Sequence, residues 1–165
     1  MKKNILLVGG SKGIGLATVK LLEKDHNLFV ISRTKEGLED LDVTHQEFDA
    51  TRDKVSDLQL PEIIDGFVYF PGSINLRPFH MIRPEVFRED MEINFFSLME
   101  IVQKILPNLK RSEQASLIFF STVAVKVGMP FHTSVAAAKG AIEGFAKALA
   151  AELAPAIRVN VIAPS

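Results

Sequence analysis

Lys139 lies among alanines, a valine and glycines in the stretch "HTSVAAAKGAIEGFAKALA" at residues 132–150. The residues directly before it include no acid and no base, whereas lysines on solvated helix faces usually have polar neighbours. We therefore treat Lys139 as a candidate functional residue and ask which group its ammonium serves.

A glycine-rich turn, "VGGSKGIG" at residues 8–15, follows the first apolar run of the chain. Gly9 permits a tight turn, Gly13 lets a ligand approach the backbone, and Gly15 lets a helix pack close to a strand. Backbone N–H groups at the start of that helix favour an anion, and a pyrophosphate is the usual occupant. The turn predicts dinucleotide binding, with a plain strand-to-helix connection as the alternative. The remaining predicted contacts in the turn are Ser11, Lys12 and Ile14.

The residues after the second and third predicted strands indicate which dinucleotide is bound. An acid after "VIS" would bind a ribose 2′-OH and select NAD, but Arg33 stands there instead. Arg33 and Lys12 suit a 2′-phosphate, so we expect NADP(H) to be preferred over NAD(H); both could instead be ordinary surface cations. Asp49, followed by Ala50, could accept a hydrogen bond from the adenine amino group or cap a helix.

Apolar runs alternate with amphipathic segments along the whole chain. Because buried parallel strands show no alternation and are joined by helices, this pattern predicts an α/β fold, a Rossmann-type three-layer sandwich around a parallel sheet. The predicted strands are 4–8, 28–32, 45–50, 66–70, 115–122 and 157–163, and the main predicted helices are 13–25, 84–109 and 134–153.

The composition excludes several classes of function. With 165 residues the chain fits one domain, and its net charge of −1 gives no field to attract nucleic acid or an anionic membrane. The absence of cysteine excludes disulfides and thiolate metal sites, and no metal is expected. The apolar run from Ile5 to Val8 is too short for a signal peptide or a membrane span, so we expect a cytoplasmic protein.

These motifs, taken in order, resemble the short-chain dehydrogenase/reductase family, and are most similar to its classical branch, which includes 3-oxoacyl-carrier-protein reductases. "GGSKGIG" resembles the glycine motif of the family, and "FDAT" at 48–51 its motif after the third strand. "LIFFSTVAVKVGMP" at 117–130 resembles the strand with the catalytic serine, and "AAAKGAIEGFAKALAAELAP" at 136–155 the catalytic helix. The resemblance implies reduction of a carbonyl by a nicotinamide cofactor.

The resemblance also gives Lys139 a role, because it matches the lysine of the Tyr-x-x-x-Lys motif. That lysine holds the nicotinamide ribose and lowers the pKa of the tyrosine, which protonates the substrate. Asn94 matches the helix asparagine of the proton relay, and Thr122 takes the place of the catalytic serine. Val135, however, stands at the tyrosine position, and "YFPG" at 69–72 retains only Gly72 of the Asn-Asn-Ala-Gly motif. The binding half of the site is therefore expected without its usual acid.

Three groups could replace the missing phenol. His132 lies two helical turns before Lys139, and this spacing is similar to that between the tyrosine and the lysine in enoyl reductases. The alternative is that His132 is a loop residue without a catalytic role. Tyr69, the only tyrosine, ends the fourth strand and could instead pack among phenylalanines. Water relayed by Asn94 and Lys139 is the third route.

The sequence leaves two hypotheses about function. The first is an NADP(H)-dependent oxidoreductase acting on a small carbonyl or acyl-type substrate, with an enoyl reductase-like reaction through His132 as a variant. The second is an NADP-binding sensor or partner protein without turnover. The resemblance further implies a homo-oligomer formed through helices 84–109 and 134–153, for which Phe95, Phe96 and Met99 could serve as contacts or as core.

Members of the family continue past the "APS" of residues 163–165 into a substrate loop, a helix and a final strand. We therefore expect residues 1–165 to form a single dinucleotide-binding domain that lacks those elements.

Overall fold

The computed structural model describes residues 2–165. Six parallel strands form one sheet in the order β3-β2-β1-β4-β5-β6, with helices packed on it, as the sequence pattern predicts. The strands are β1 Asn4–Val8, β2 Asn27–Ser32, β3 Val43–Glu47, β4 Gly66–Tyr69, β5 Ala115–Phe120 and β6 Ile157–Ile162. The chain order reverses between β1 and β4, which is the place where ligands bind in open sheets of this kind.

Five α-helices connect the strands. They are α1 Gly13–Leu22, α2 Pro84–Met91, α3 Ser97–Leu109, α4 Ala124–Val127 and α5 Thr133–Leu153, with short 3₁₀ turns at Val55–Asp57 and Phe79–Met81. Pro84 occupies the first turn of α2, where its missing N–H costs nothing.

Apolar side chains cover both faces of the sheet. On one face Phe67 and Phe119 are fully buried and pack with α3 and α5, and on the other Leu7 and Val30 pack with Val19 of α1. Strands buried on both faces explain why the sequence shows continuous apolar runs instead of alternation.

The long helix expected over 84–109 is interrupted. Residues Glu92–Phe96 form a π-helical turn between α2 and α3, in which Ser97 N donates to Glu92 O, five residues earlier. Several other elements differ from their predicted bounds. Helix α1 ends at Leu22 instead of residue 25, β3 spans Val43–Glu47 instead of 45–50, and β5 ends at Phe120 because the chain then turns into α4. No periodicity in the sequence predicts α4, since it is a single helical turn.

Candidate functional site

A cleft of about 760 Å³ opens at the carboxyl ends of the strands, around the point where strand order reverses. Most of the predicted cofactor-binding residues line this cleft, but Gly13 and Lys139 do not. The predicted residues that line it are Gly9, Ser11, Lys12, Ile14, Gly15, Arg33, Asp49, Ala50 and Gly72.

The glycine turn has the geometry that its sequence predicts. Gly9 and Gly13 have φ angles of 83° and 55°, in the left-handed region that favours glycine. A Cβ on Gly15 would lie 2.3 Å from the carbonyl oxygen of Gly9, so only glycine lets α1 begin this close to β1. The N-terminus of α1 has no side-chain cap, which leaves its backbone N–H groups available to an anion.

The two cations expected at a 2′-phosphate differ in their partners. Lys12 Nζ lies 2.7 Å from Glu36 Oε2, and both side chains are mostly exposed. The hydrogen bond and charge of Lys12 hold the pKa of Glu36 below its ordinary value. Arg33 lines the cleft and has no carboxylate within 4.0 Å among residues 2–165. Arg33 is therefore the cation with a free charge, and the sequence reasoning missed Glu36 as the partner of Lys12.

The segment that carries Arg33 is held by a hydrogen-bonded serine. Ser32 Oγ donates to the carbonyl of Thr34 at 2.8 Å and lies 2.9 Å from Nε2 of His45 on β3. Because the only hydroxyl hydrogen goes to Thr34, His45 Nε2 must be the donor in the second contact. This arrangement fixes the turn after β2, at the edge of the cleft.

Asp49 lines the cleft and also organises its own turn. Its Oδ1 accepts hydrogen bonds from the backbone N–H and the hydroxyl of Thr51, at 3.0 and 2.8 Å. Burial raises the pKa of Asp49, but these two bonds and the charges of Arg52 and Arg33 outweigh it, so the pKa lies below its ordinary value. The side chain caps a turn, while its position in the cleft leaves the predicted contact with adenine open.

Lys139 and Asn94 meet beside Gly72. A Cβ on residue 72 would stand 2.8 Å from Asn94 Oδ1 and 3.2 Å from Lys139 Nζ, so only glycine fits between the chain and these two groups. Burial lowers the pKa of Lys139 to about 8. This addresses the question raised by the sequence, because the ammonium and the amide oxygen of Asn94 both lie beside Gly72, which lines the cleft.

A buried polar cluster that the sequence reasoning missed supports Asn94. Asp90, one turn earlier, accepts hydrogen bonds from Ser73 Oγ and from Asn75 Nδ2, the latter at 2.7 Å. Asn94 Nδ2 donates to Ser73 Oγ at 3.1 Å and to the backbone carbonyl of Asp90 at 2.8 Å. The i, i+4 spacing of Asp90 and Asn94 and the position of Ser73 directly after Gly72 were visible signals of this cluster.

Thr122 and Val135 stand at the predicted serine and tyrosine positions. Thr122 Oγ1 accepts from the N–H of Ala124 at 3.3 Å, so its hydroxyl hydrogen stays free to donate. Val135 is 4% exposed and brings no polar atom to the site. The adjacent Ser121 lines the cleft and donates to Glu143 of α5 at 2.7 Å, a contact that ties β5 to the helix carrying Lys139.

The two side chains considered as replacement acids lie in different surroundings. Tyr69 is 2% exposed and donates its hydroxyl hydrogen to the carbonyl of Ile93 at 2.7 Å. Burial raises the pKa of Tyr69 well above its ordinary value, which favours its packing role over an acid role. His132 stands at the N-terminus of α5 with Nδ1 2.7 Å from the carbonyl of Pro130. Since a carbonyl only accepts, Nδ1 carries the hydrogen and Nε2 is left free.

Residues 2–165 contain neither a candidate metal site nor a candidate membrane-spanning helix. No cluster of three or more His, Cys, Asp or Glu side chains could hold a metal ion. None of the helices in the same range combines the length and the hydropathy that crossing a membrane requires.

Known proteins resemble this chain along nearly its whole length. The mouse protein named dehydrogenase/reductase SDR family member 7B is 26% identical over 181 residues, which cover 97% of this chain and 56% of the mouse protein. The short-chain type dehydrogenase/reductase VdlC of Helicobacter pylori is 28% identical over 176 residues, which cover 96% of this chain and 63% of VdlC. The chain thus spans 56% to 63% of the length of these two relatives.

The fold is shared with solved structures. A short chain dehydrogenase from Shigella flexneri 2a, solved in complex with NADP, superposes with a TM-score of 0.90 at 25% identity, covering 98% of this chain and 76% of that chain. The sequence model of the family described as short chain dehydrogenase matches residues 3–165. The chain belongs to the short-chain dehydrogenase/reductase family of oxidoreductases.

Proposed function

We propose that the chain carries the cofactor-binding and reaction site of an NADP(H)-dependent oxidoreductase that reduces a carbonyl group. The observation that supports it most is the half-buried Lys139, whose ammonium lies with Asn94 Oδ1 beside Gly72, a residue of the cleft that begins at the glycine turn. A lysine whose pKa is lowered to about 8 by burial needs partners for its charge. Ribose hydroxyls would supply such partners.

The residues present fit a nicotinamide dinucleotide. The uncapped N-terminus of α1 and the glycine at position 15 leave room and N–H donors for a pyrophosphate. At the other end, Asn94 Oδ1 is buried without a hydrogen-bond partner among residues 2–165. An unpaired buried acceptor costs stability, so its retention favours a ligand or water that completes it.

The preference for NADP(H) over NAD(H) rests on charge. Arg33 has no carboxylate partner and would face a 2′-phosphate directly. Lys12 would have to exchange Glu36 for the phosphate, and an exposed pair of this kind contributes only about 0–1 kcal/mol. A phosphate carrying up to two negative charges can therefore compete for Lys12. The relative from Shigella flexneri solved with NADP supports this choice.

When bound, the cofactor would supply a hydride to the carbonyl carbon. On the protein side, the free hydroxyl hydrogen of Thr122 would bind the carbonyl oxygen and stabilise the charge that develops there. Val135 has no proton to give. The proton would then come from water held by Asn94 and Lys139, or from His132, which has a hydrogen on Nε2 only in its imidazolium form.

Exposed apolar side chains beside the site favour an acyl-type substrate. They lie in the two segments that follow β4 and β5, which are joined by a hydrogen bond from Arg77 N to Phe131 O at 3.2 Å. Both segments adjoin the site, since one begins next to Gly72 and the other leads to Val135. The exposed members are Ile74, Leu76, Phe79, Met81, Val127, Met129 and Phe131.

A second function is favoured by one observation, the buried valine at position 135. A protein that binds NADP(H) without turnover, as a sensor or partner subunit, needs the cleft and Lys139 but no acid. The two functions predict the same cofactor affinity and differ in whether the cofactor is oxidised.

Calorimetric titration of NADPH and NADH, followed by assays of NADPH oxidation with ketone, 3-oxoacyl and enoyl thioester substrates, tests both functions. We expect NADPH to bind more tightly, and Arg33→Ala to weaken NADPH binding by about 10- to 100-fold while leaving NADH binding unchanged, because a hydrogen bond to a charged group contributes about 1.5–3 kcal/mol. If Arg33→Ala leaves the ratio of the two affinities unchanged, the assignment of Arg33 is wrong.

The oxidation assay separates the enzyme from the sensor. If His132 is the acid, His132→Ala should lower the rate by about 10²–10⁴-fold, whereas a water relay predicts little change. Tight NADPH binding without oxidation of NADPH by any of the three substrate classes would favour the sensor.

A further inference from the structure

The carboxyl group of Asp90 is buried next to the proposed reaction site without an evident partner for its charge. Asp90 lies in the last turn of α2 and is 0% exposed. Among residues 2–165, no cation lies within 4.0 Å of it, and its Oδ2 has no hydrogen-bond partner. Burying a carboxyl group in this way costs free energy, which favours a role for it in the site through the contacts of Oδ1.

The hydrogen bonds at Oδ1 have a fixed direction. A serine hydroxyl has one hydrogen, and Ser73 donates it to Asp90. Ser73 Oγ can then only accept at its other contact, so the hydrogen of that bond comes from Asn94 Nδ2, at 3.1 Å. Asn75 Nδ2 also donates to Asp90 Oδ1, at 2.7 Å, and holds the carboxylate from the other side.

The direction of these bonds determines how the amide of Asn94 is turned. Its two N–H groups are used by Ser73 Oγ and by the backbone carbonyl of Asp90, at 2.8 Å. Its Oδ1 is left over, buried and unpartnered. That oxygen and Lys139 Nζ both lie beside Gly72, 2.8 and 3.2 Å from the position of a Cβ there, without a hydrogen bond between them. With the amide reversed, two oxygens would meet at the carbonyl of Asp90, and an N–H group would face the ammonium.

We infer that Asp90 is a positioning residue, which through Ser73 fixes the amide of Asn94 so that its oxygen acts as an acceptor beside Lys139. The role in cofactor binding rests on the proposed function. An acceptor at this place stabilises the charged form of the ammonium, which burial opposes. A lysine that keeps its proton can then hold the ribose hydroxyls of a bound dinucleotide.

The test compares two substitutions of Asp90 with different hydrogen-bonding capacity. Asp90→Val removes the acceptor, while Asp90→Asn keeps a carbonyl oxygen that can accept from both Ser73 and Asn75. Ser73→Ala interrupts the hydrogen bonds from Asn94 through Ser73 to Asp90 with a smaller change in the core. It replaces Asp90→Val in the comparison if that variant does not fold. The signal of Lys139 is followed by NMR against pH in the cofactor-free protein carrying ¹³C-labelled lysine, and is assigned by its absence in Lys139→Met.

In Asp90→Val and Ser73→Ala we expect Lys139 to titrate at lower pH than in the wild type. We also expect the Kd for NADPH to rise by about three- to tenfold, the value of one hydrogen bond. Asp90→Asn should stay close to the wild type in both measurements. The inference is overturned if Lys139 titrates unchanged in a folded variant that lacks the acceptor. It is also overturned if Asp90→Asn shifts the titration as much as Asp90→Val, because the charge of Asp90 would then act directly.

The NMR measurement needs no cofactor, so it separates this inference from the proposed function. If the wild type fails to bind NADPH while the Lys139 titration moves as expected, the proposed function is wrong and the positioning role of Asp90 stands.

Discussion

At the scale of single residues, we propose a site whose binding half is intact and whose usual acid is missing. Lys139, Asn94 and Gly72 meet at one point, and the hydroxyl hydrogen of Thr122 is free, but Val135 is buried where the family places its tyrosine. Residues 135 and 139 are one helical turn apart, so a phenol at 135 would share a face of α5 with the ammonium.

Substituting Val135→Tyr should restore the acid. General acid catalysis typically contributes about 10²–10⁴-fold, so we expect a gain of that order in NADPH-dependent ketone reduction. Because Val135 is 4% exposed, the larger ring should also lower the melting temperature. Val135→Phe is the matched control, since it adds the same ring without the hydroxyl. Equal rates for the two variants would show that the phenol does not reach the substrate oxygen.

The pKa of Lys139 predicts a proton linkage to cofactor binding. Burial lowers this pKa from 10.5 to about 8, so near pH 8.5 a fraction of the free protein lacks the proton. A bound dinucleotide brings hydroxyl acceptors and negative charge, which raise the pKa, so binding should take up a proton at that pH. Calorimetry of NADPH binding at pH 8.5 in two buffers with different ionisation enthalpies measures the uptake. Lys139→Met should abolish it, and proton release would contradict the assignment.

At the scale of elements, β4 and the π-helical turn are joined by Tyr69. Its hydroxyl reaches the carbonyl of Ile93 from the carboxyl end of the strand, next to Asn94. This contact ties β4 to the turn that carries Asn94, so we expect the tyrosine to act through structure and not through its proton.

Removing that hydroxyl should therefore affect stability and not turnover. Tyr69→Phe deletes the donor and leaves a carbonyl acceptor unpaired, which should lower the free energy of unfolding by about 1–3 kcal/mol in urea titrations. The rate of NADPH oxidation per folded molecule should stay the same. A fall of 10²-fold or more in that rate, at unchanged cofactor affinity, would instead identify Tyr69 as the acid.

The elements were predictable from sequence to different degrees. The buried strands gave strong signals because apolar runs such as "NILLV" have glycine or polar residues at their ends. The π-helical turn gave none, since "EINFF" has neither proline nor glycine to mark a change of helix. The pairing of Lys12 with Glu36 and the cluster around Asp90 depend on loops whose course no periodicity encodes.

At the scale of the whole molecule, α3 and α5 pack against the same face of the sheet and could form a surface between subunits. Phe95 packs against Phe145 in the core, which makes it a core residue in the single chain. Phe96 is 41% exposed, and Met99 is half-buried. Of the three predicted contacts, Phe96 is the best candidate for a partner.

We expect the protein to form a dimer or tetramer, and Phe96→Asp to shift it toward monomer because a charge would be buried in the contact. Sedimentation velocity across a range of concentrations measures the change, with Lys104→Asp on the exposed side of α3 as a control for added negative charge. The prediction would be wrong if the complete wild-type protein sediments as a monomer at all concentrations.

The π-helical turn also restricts how the chain can change length. It amounts to one extra residue inserted into an otherwise regular helix, and each residue turns an α-helix by about 100°. Because the turn absorbs the extra residue locally, deleting one residue from Glu92–Phe96 would restore regular winding and leave α2 and α3 in phase. The widened turn that carries Asn94 would be lost, however, and the amide of Asn94 would be displaced from its place beside Gly72. Insertions and deletions should therefore be tolerated in the loops on either side of this helix and excluded from its middle.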